Sequence, residues 1–165
     1  EEHRFAKYLF TQPVDSKIYA DYLFNQFMIY NALESRVKKE GILEGLDDIY
    51  RAQKIFNDYK EIHTGESKKY LSTIEYEKYI KDCPKDNLIA HIYVRHFGDM
   101  FGGSMLKNNV PGSGTMYNFE NKKELIAAIR EKLSLEMADE ANKVFKFAID
   151  LFEELAHEHN IQPTE

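Results

Sequence analysis

The chain has 165 residues, 43% of them hydrophobic, a formal net charge of −6 and a single cysteine, Cys83. Its length suits one domain, residues 1–165, around one core, and its acidic balance argues against a protein that binds nucleic acid by neutralising phosphates. One cysteine excludes an internal disulfide and a cysteine-rich zinc site, and no apolar run approaches the roughly 18–20 residues that span a bilayer. No secretory leader is visible and the thiol suits a reducing compartment, so a cytoplasmic protein without a membrane or nucleic-acid partner is expected.

Strand-type alternation is nearly absent, and the chain reads as all-α. A first helix covers about residues 1–10 and stops before Thr11-Gln12-Pro13. Asp15 or Ser16 is placed to cap a long helix that runs to about Lys39 and ends at Gly41. Its apolar positions, among them Ile18, Tyr22, Tyr30, Leu33 and Val37, recur at helical spacing. Further helices are expected over about 46–62, over 68–81 before Pro84, and over 86–107. After the "PGSG" loop, Asn121 is placed to cap a sixth helix, with Glu124 where a capping box needs it. The last helix is expected over about 135–159.

The fifth helix carries the unusual stretch "RHFGDMFGGSML", residues 95–106. Three interior glycines cost a helix about 3 kcal/mol relative to alanine. His91, Arg95, Asp99 and Gly102 follow at spacings of four, four and three, and Gly98 falls on the same side. Bare backbone lets a flat molecule approach the helix axis and permits a kink. Asp99 at that bare face would hold a water or a small molecule, and Arg95 one turn earlier would keep it ionised. The competing reading is a tight helix crossing, which explains the glycines but gains nothing from the aspartate.

"LIAHIYVRHFGDMFGGSMLK", residues 88–107, resembles the distal-helix signature of the heme oxygenase family, approximately A-H-x-Y-x-R-[YH]-[LF]-G-D-x-x-G-G. "FMIYNALESRV" (27–37), "GTMYNF" (114–119) and "SLEMADEANKVFKFAIDLFEEL" (134–155) are similar to other family segments and occur in the family's order. The weakest region is 41–72. The resemblance implies a single-domain helical bundle of the soluble, biliverdin-producing type. In such a bundle heme, both cofactor and substrate, lies between a proximal helix and a kinked distal helix. Gly98, Gly102 and Gly103 would lie against the porphyrin, with Tyr93 and Phe97 shaping the pocket. Asp99 would anchor the water that delivers protons to the reacting dioxygen, with Arg95 and Tyr79 as polar members of that network. His91 corresponds to a family histidine that is not the iron ligand; read alone, it is a satisfied core histidine.

The resemblance aligns Glu1 with a proximal-helix glutamate and places the axial histidine four residues before it, so the proximal helix is expected to begin upstream. His3, the nearest histidine in the chain, would sit about 240° around the helix from the proper face. Arg130, with Lys123 or Lys122, would hold the heme propionates; Ile126 occupies the position where the second family partner would fall. Phe145 and Phe152 align with aromatics near the heme edge. Ala148 replaces an asparagine of some relatives, and Glu44 stands near an expected tyrosine. The basic patch on the sixth helix, with Arg4 and Lys7, is a candidate dock for an acidic electron donor such as ferredoxin. His63, His96, His157 and His159 read as surface or helix-end residues, and the "FEEL" run at 152–155 as a solvated face.

The expected activity is cleavage of heme, with dioxygen and reducing equivalents from ferredoxin or another reductase, to biliverdin, carbon monoxide and ferrous iron by a monomer. The alternative is a heme-binding or scaffolding relative without oxygenase activity, and a further one is a bundle that uses its glycines for partner packing alone.

Overall fold

The computed structural model describes residues 3–63 and 65–163. Glu1, aligned above with a proximal-helix glutamate and so expected beside the heme, lies outside the described residues. The described chain contains seven helices: α1 (Arg4–Thr11), α2 (Ser16–Glu40), α3 (Ala52–Ile62), α4 (Leu71–Asp82), α5 (Leu88–Lys107), α6 (Lys122–Glu131) and α7 (Ala138–Glu158). None is long and apolar enough to cross a membrane.

The longest helix, α2, is central. Asp15 caps it, its carboxylate accepting from Lys17 N (2.9 Å) and Ile18 N (3.2 Å). Gly41 ends it in the left-handed conformation, φ 68°, which glycine adopts without a Cβ penalty. Helices α3 and α4 pack on α2, α5 packs on α7, and α1 bridges α7 and α5. One apolar cluster joins all seven helices, through Leu9, Leu23, Leu33, Ile55, Ile80, Ile92, Ile129 and Leu151 among others.

Several helix boundaries differ from the sequence expectation, each for a reason outside local propensity. The third helix begins at Ala52, not near residue 46, after a 3-10 turn at Asp47–Ile49. The buried carboxylate of Glu34, on α2, accepts from Arg51 N (2.7 Å) and Ala52 N (2.9 Å) and so fixes where α3 starts. The fourth helix begins at Leu71 because Asn25 holds Tyr70 N in an extended approach and Glu154 accepts from Ser72 N. The capping box at Asn121 does not form. Asn121 has φ 56° and makes no side-chain cap; its amide donates to Asp48 Oδ2 instead (2.6 Å). The last helix is preceded by a 3-10 turn at Leu135–Met137.

The "FEEL" run is not a solvated face. Glu153 pairs with His3 (2.8 Å) and Arg4 (2.7 Å), Glu154 accepts from Ser72 N, and Leu155 is buried. His159 is also structural, joining the end of α7 to the buried Asp21 of α2 (2.8 Å).

Two buried charged groups carry the connection "GTMYNF" into the bundle. Arg51 is almost fully enclosed, donates to the carbonyls of Met116 (3.2 Å) and Asn118 (2.8 Å), and stacks on Phe119. Asp58 accepts from Thr115 N (2.9 Å) and Met116 N (2.8 Å). This seats Tyr117 against α5 and against the hydroxyl of Tyr19 (3.2 Å).

Removing the Glu34 carboxylate leaves two backbone N–H groups and a buried histidine without an acceptor. Glu34→Ala is expected to destabilise the protein by about 3–5 kcal/mol, read as a lower urea midpoint, with Glu34→Gln losing less.

Candidate functional site

Helix α5 runs unbroken through all three glycines, and the three face different surroundings. A Cβ on Gly98 would meet no atom within 4 Å. At Gly102 the nearest group is the ring of Phe10, from α1, at 3.5 Å. At Gly103 a Cβ would lie 2.9 Å from the Cβ of Tyr117. Gly103 is therefore buried against the 115–117 turn rather than on the ligand face that the sequence assigned it, because the tertiary anchoring of that turn fills the space.

Gly98, Phe101, Gly102 and Met105 fall at i, i+3, i+4 and i+7 and form one helix face. Phe101 is 58% exposed and Met105 65% exposed. An apolar helix face with uncovered backbone at Gly98, bordered by the Phe10 ring on Gly102, fits a flat apolar ligand. Phe97 is buried and stacks edge-on with Tyr93 and Phe101, extending this surface. Spacing alone could have found Phe101 and Met105; only their exposure distinguishes them from core.

Asp99 lies at the edge of that face, turned inward and 8% exposed. Its partner is Tyr30 of α2, whose hydroxyl contacts Asp99 Oδ2 and stands 2.9 Å from the carbonyl of Arg95. Tyr30 has one proton facing two acceptors, a conflict that a protonated Asp99 relieves. Burial pushes the Asp99 carboxyl above its ordinary range, against the hydrogen bond from Tyr30 and the nearby charges of His96, Arg95 and Arg51. The sequence reading treated Tyr30 as an apolar-stripe residue; its hydroxyl matters only because α2 crosses α5 at this turn.

Arg95 makes no ion pair with Asp99 among the described residues. Its guanidinium lies over the ring of Tyr76 (4.9 Å) and donates to Gln26 Oε1 (3.3 Å). Its Nε and Nη2 are buried with no protein partner, and so are free to donate to waters or to a ligand. His96 is fully buried, against the expectation of a surface histidine. Its Nε2 lies 2.7 Å from Glu34 Oε2 and its ring packs on Tyr30 (4.7 Å), so it braces the tyrosine that holds Asp99.

Tyr79 is not in the Asp99 network. Its hydroxyl donates to Glu140 of α7 (2.8 Å), in a separate cluster with His91 and Cys83. His91 is satisfied on both nitrogens, by Tyr76 (2.6 Å) and Glu140 (2.7 Å), in keeping with its reading as a core histidine.

His3 is placed as the N-cap of α1. Nδ1 accepts from Phe5 N (3.0 Å) and Nε2 pairs with Glu153, so neither nitrogen is free to bind iron. Arg4 is likewise tied to Glu153, which weakens its part in a basic dock. Arg130 and Lys123 are exposed on α6, which packs on α5. Phe152 packs between Phe5 (5.5 Å) and Tyr22 (6.3 Å), fixing α1 against α7, whereas Phe145 is 50% exposed.

The glycines separate by substitution. Gly98→Ala is expected to raise the stability of the ligand-free protein by up to about 1 kcal/mol, while Gly103→Ala lowers it by about 1–3 kcal/mol through overpacking on Tyr117; thermal melts read both. The Asp99 shift has a defined sign. A carboxyl raised on folding stabilises below its unfolded value, about 3.9, and loses that contribution as pH rises through the folded value. The stability of Asp99→Asn relative to the native chain is therefore expected to grow as pH rises across that window, measured by urea unfolding at a series of pH values.

A family model described as "Heme oxygenase" matches residues 1–154. The heme oxygenase of Guillardia theta is 26% identical over 94% of this chain and 79% of its own length. Heme oxygenase 2 of Macaca fascicularis is 36% identical over 54% of this chain; the match spans only 34% of that protein's length. Among solved structures, heme oxygenase-1 of the cyanobacterium Synechocystis, in complex with heme, superposes with a TM-score of 0.79 at 21% identity, covering 93% of this chain and 84% of that one. At that identity the likeness shows the fold.

Proposed function

Because this chain belongs to the heme oxygenase family, we propose that it cleaves heme to biliverdin, carbon monoxide and ferrous iron, using dioxygen and electrons from a ferredoxin or another reductase. The observation that carries the reading is the open, glycine-centred face of α5 with an inward carboxyl at its edge. Heme, when bound, supplies both the iron that activates dioxygen and the ring that is oxidised.

The chain's own residues have separable tasks. Gly98 and Gly102 seat the ring plane, with Phe101, Met105, Tyr93 and Phe97 as its apolar surround. Phe10 of α1 packs on the helix at Gly102 and borders the open surface at Gly98. Arg130 and Lys123, exposed on α6, are the cations for the ligand's two carboxylates. Asp99 holds a proton at its carboxyl, kept available by burial and handed through the Tyr30 hydroxyl or an adjacent water. The unpartnered Nε and Nη2 of Arg95 orient such waters. The reading includes action by a monomer in the cytoplasm.

The test is hemin titration followed by reduction in air, on the full-length protein. A Soret band that decays into biliverdin absorbance is expected. Asp99→Asn and Asp99→Ala should still bind hemin but form biliverdin at least about 100-fold more slowly. Undiminished biliverdin formation by either variant would remove Asp99 from the proton path. A stable Soret band in the native protein without turnover would instead identify a heme-holding relative.

A further inference from the structure

A second group of chemically active side chains lies at the other end of α5, away from the glycine face. Cys83 caps the end of α4, His91 is one turn into α5, and Glu140 is in the first turn of α7. All three are buried. Their ligand atoms converge: Cys83 Sγ lies 3.7 Å from His91 Nε2 and 3.6 Å from Glu140 Oε2, and those two lie 2.7 Å apart. We propose that Cys83, His91 and Glu140 form a binding site for a divalent cation of zinc type.

The geometry suits that ion. With Zn–S near 2.3 Å and Zn–N and Zn–O near 2.0–2.1 Å, tetrahedral angles set the sulfur about 3.5 Å from each harder ligand and place N and O about 3.3 Å apart. The two sulfur separations are already near these values, and only the His91–Glu140 pair opens, by about half an ångström. Thiolate, imidazole and carboxylate together favour zinc over calcium or magnesium, which take oxygen ligands. A thiolate and a carboxylate also neutralise the ion's two charges, as a buried site requires.

The surroundings hold the ligands in position as metal sites require. His91 Nδ1 is bonded to the hydroxyl of Tyr76 (2.6 Å), which leaves Nε2 to face the ion as a lone pair. The Tyr79 hydroxyl stands 2.8 Å from both oxygens of Glu140, which orients the carboxylate with Oε2 turned toward Cys83 and His91. Access exists as well. A surface groove of about 380 Å³ is lined by Cys83 and Tyr79, with the carboxylates of Glu75 and Asp82 and the ammonium of Lys78 among its walls. Two carboxylates against one ammonium leave the opening net negative, which favours the approach of a cation to the Cys83 side of the cluster. The ion would tie the first half of α5, the glycine-bearing helix, to α4 and α7. Nothing in the arrangement depends on the oxygenase reading.

The experiment uses heme-free protein, stripped with a chelator, and titrates it first with Co²⁺ and then with Zn²⁺. One equivalent of Co²⁺ should give a thiolate-to-metal charge-transfer band and the intense visible bands of a tetrahedral centre, which Zn²⁺ then abolishes. Cys83→Ser, whose hydroxyl retains the contact with Glu140, should lose the charge-transfer band and bind Zn²⁺ at least about tenfold more weakly by competition with a colorimetric chelator. Tyr79→Phe should keep the band and weaken binding by about tenfold. Absence of a charge-transfer band in the native protein would overturn the proposal. So would Cys83→Ser binding Zn²⁺ with unchanged affinity, since the ion would then sit elsewhere.

Discussion

The buried carboxylate of Glu34 is the interaction on which the arrangement of the site depends. It stands on α2, caps the start of α3 through Arg51 N and Ala52 N, and holds His96 of α5. One charged group thus fixes the relative position of three helices, in surroundings where water cannot substitute for a missing partner. Because α3 starts where it does, Arg51 and Asp58 reach the 115–117 turn and press Tyr117 onto Gly103. Because His96 is held, its ring braces Tyr30, and Tyr30 meets Asp99.

Helix α5 is consequently two-sided. One side carries His91, Arg95, His96 and Asp99 into the protein, each engaged by a residue of α2, α4 or α7. Another carries Gly98, Phe101, Gly102 and Met105 outward with little to cover them. A helix that buries several ionisable groups while leaving aromatic and thioether side chains exposed is the inverse of what stability alone would select. It fits a protein whose ligand completes the apolar contacts and whose buried acid serves chemistry.

The glycines show how one local pattern serves several purposes. Gly103 is required by packing, since any side chain would overlap Tyr117. Gly98 has no such requirement from the protein itself, since a Cβ there would meet no atom within 4 Å. Close packing explains Gly103, against the 115–117 turn rather than a crossing helix, and leaves Gly98 unexplained.

The sequence by itself determined the helical class, a cap at Asp15 or Ser16, the stop at Gly41 and the stretch of α5 with its aspartate and glycines, together with the family to which they point. These signals are local: they depend on spacing along one helix and on conformations that particular residues favour. What only the tertiary structure decided was partnership. Tyr30 rather than Arg95 holds Asp99, His96 is a buried brace rather than a surface group, Tyr79 belongs with Glu140, and His3 is occupied as a helix cap. Each of these joins residues many positions apart on different helices. The identity of a side chain says that it can form a hydrogen bond, but the partner it finds is set by how the helices cross.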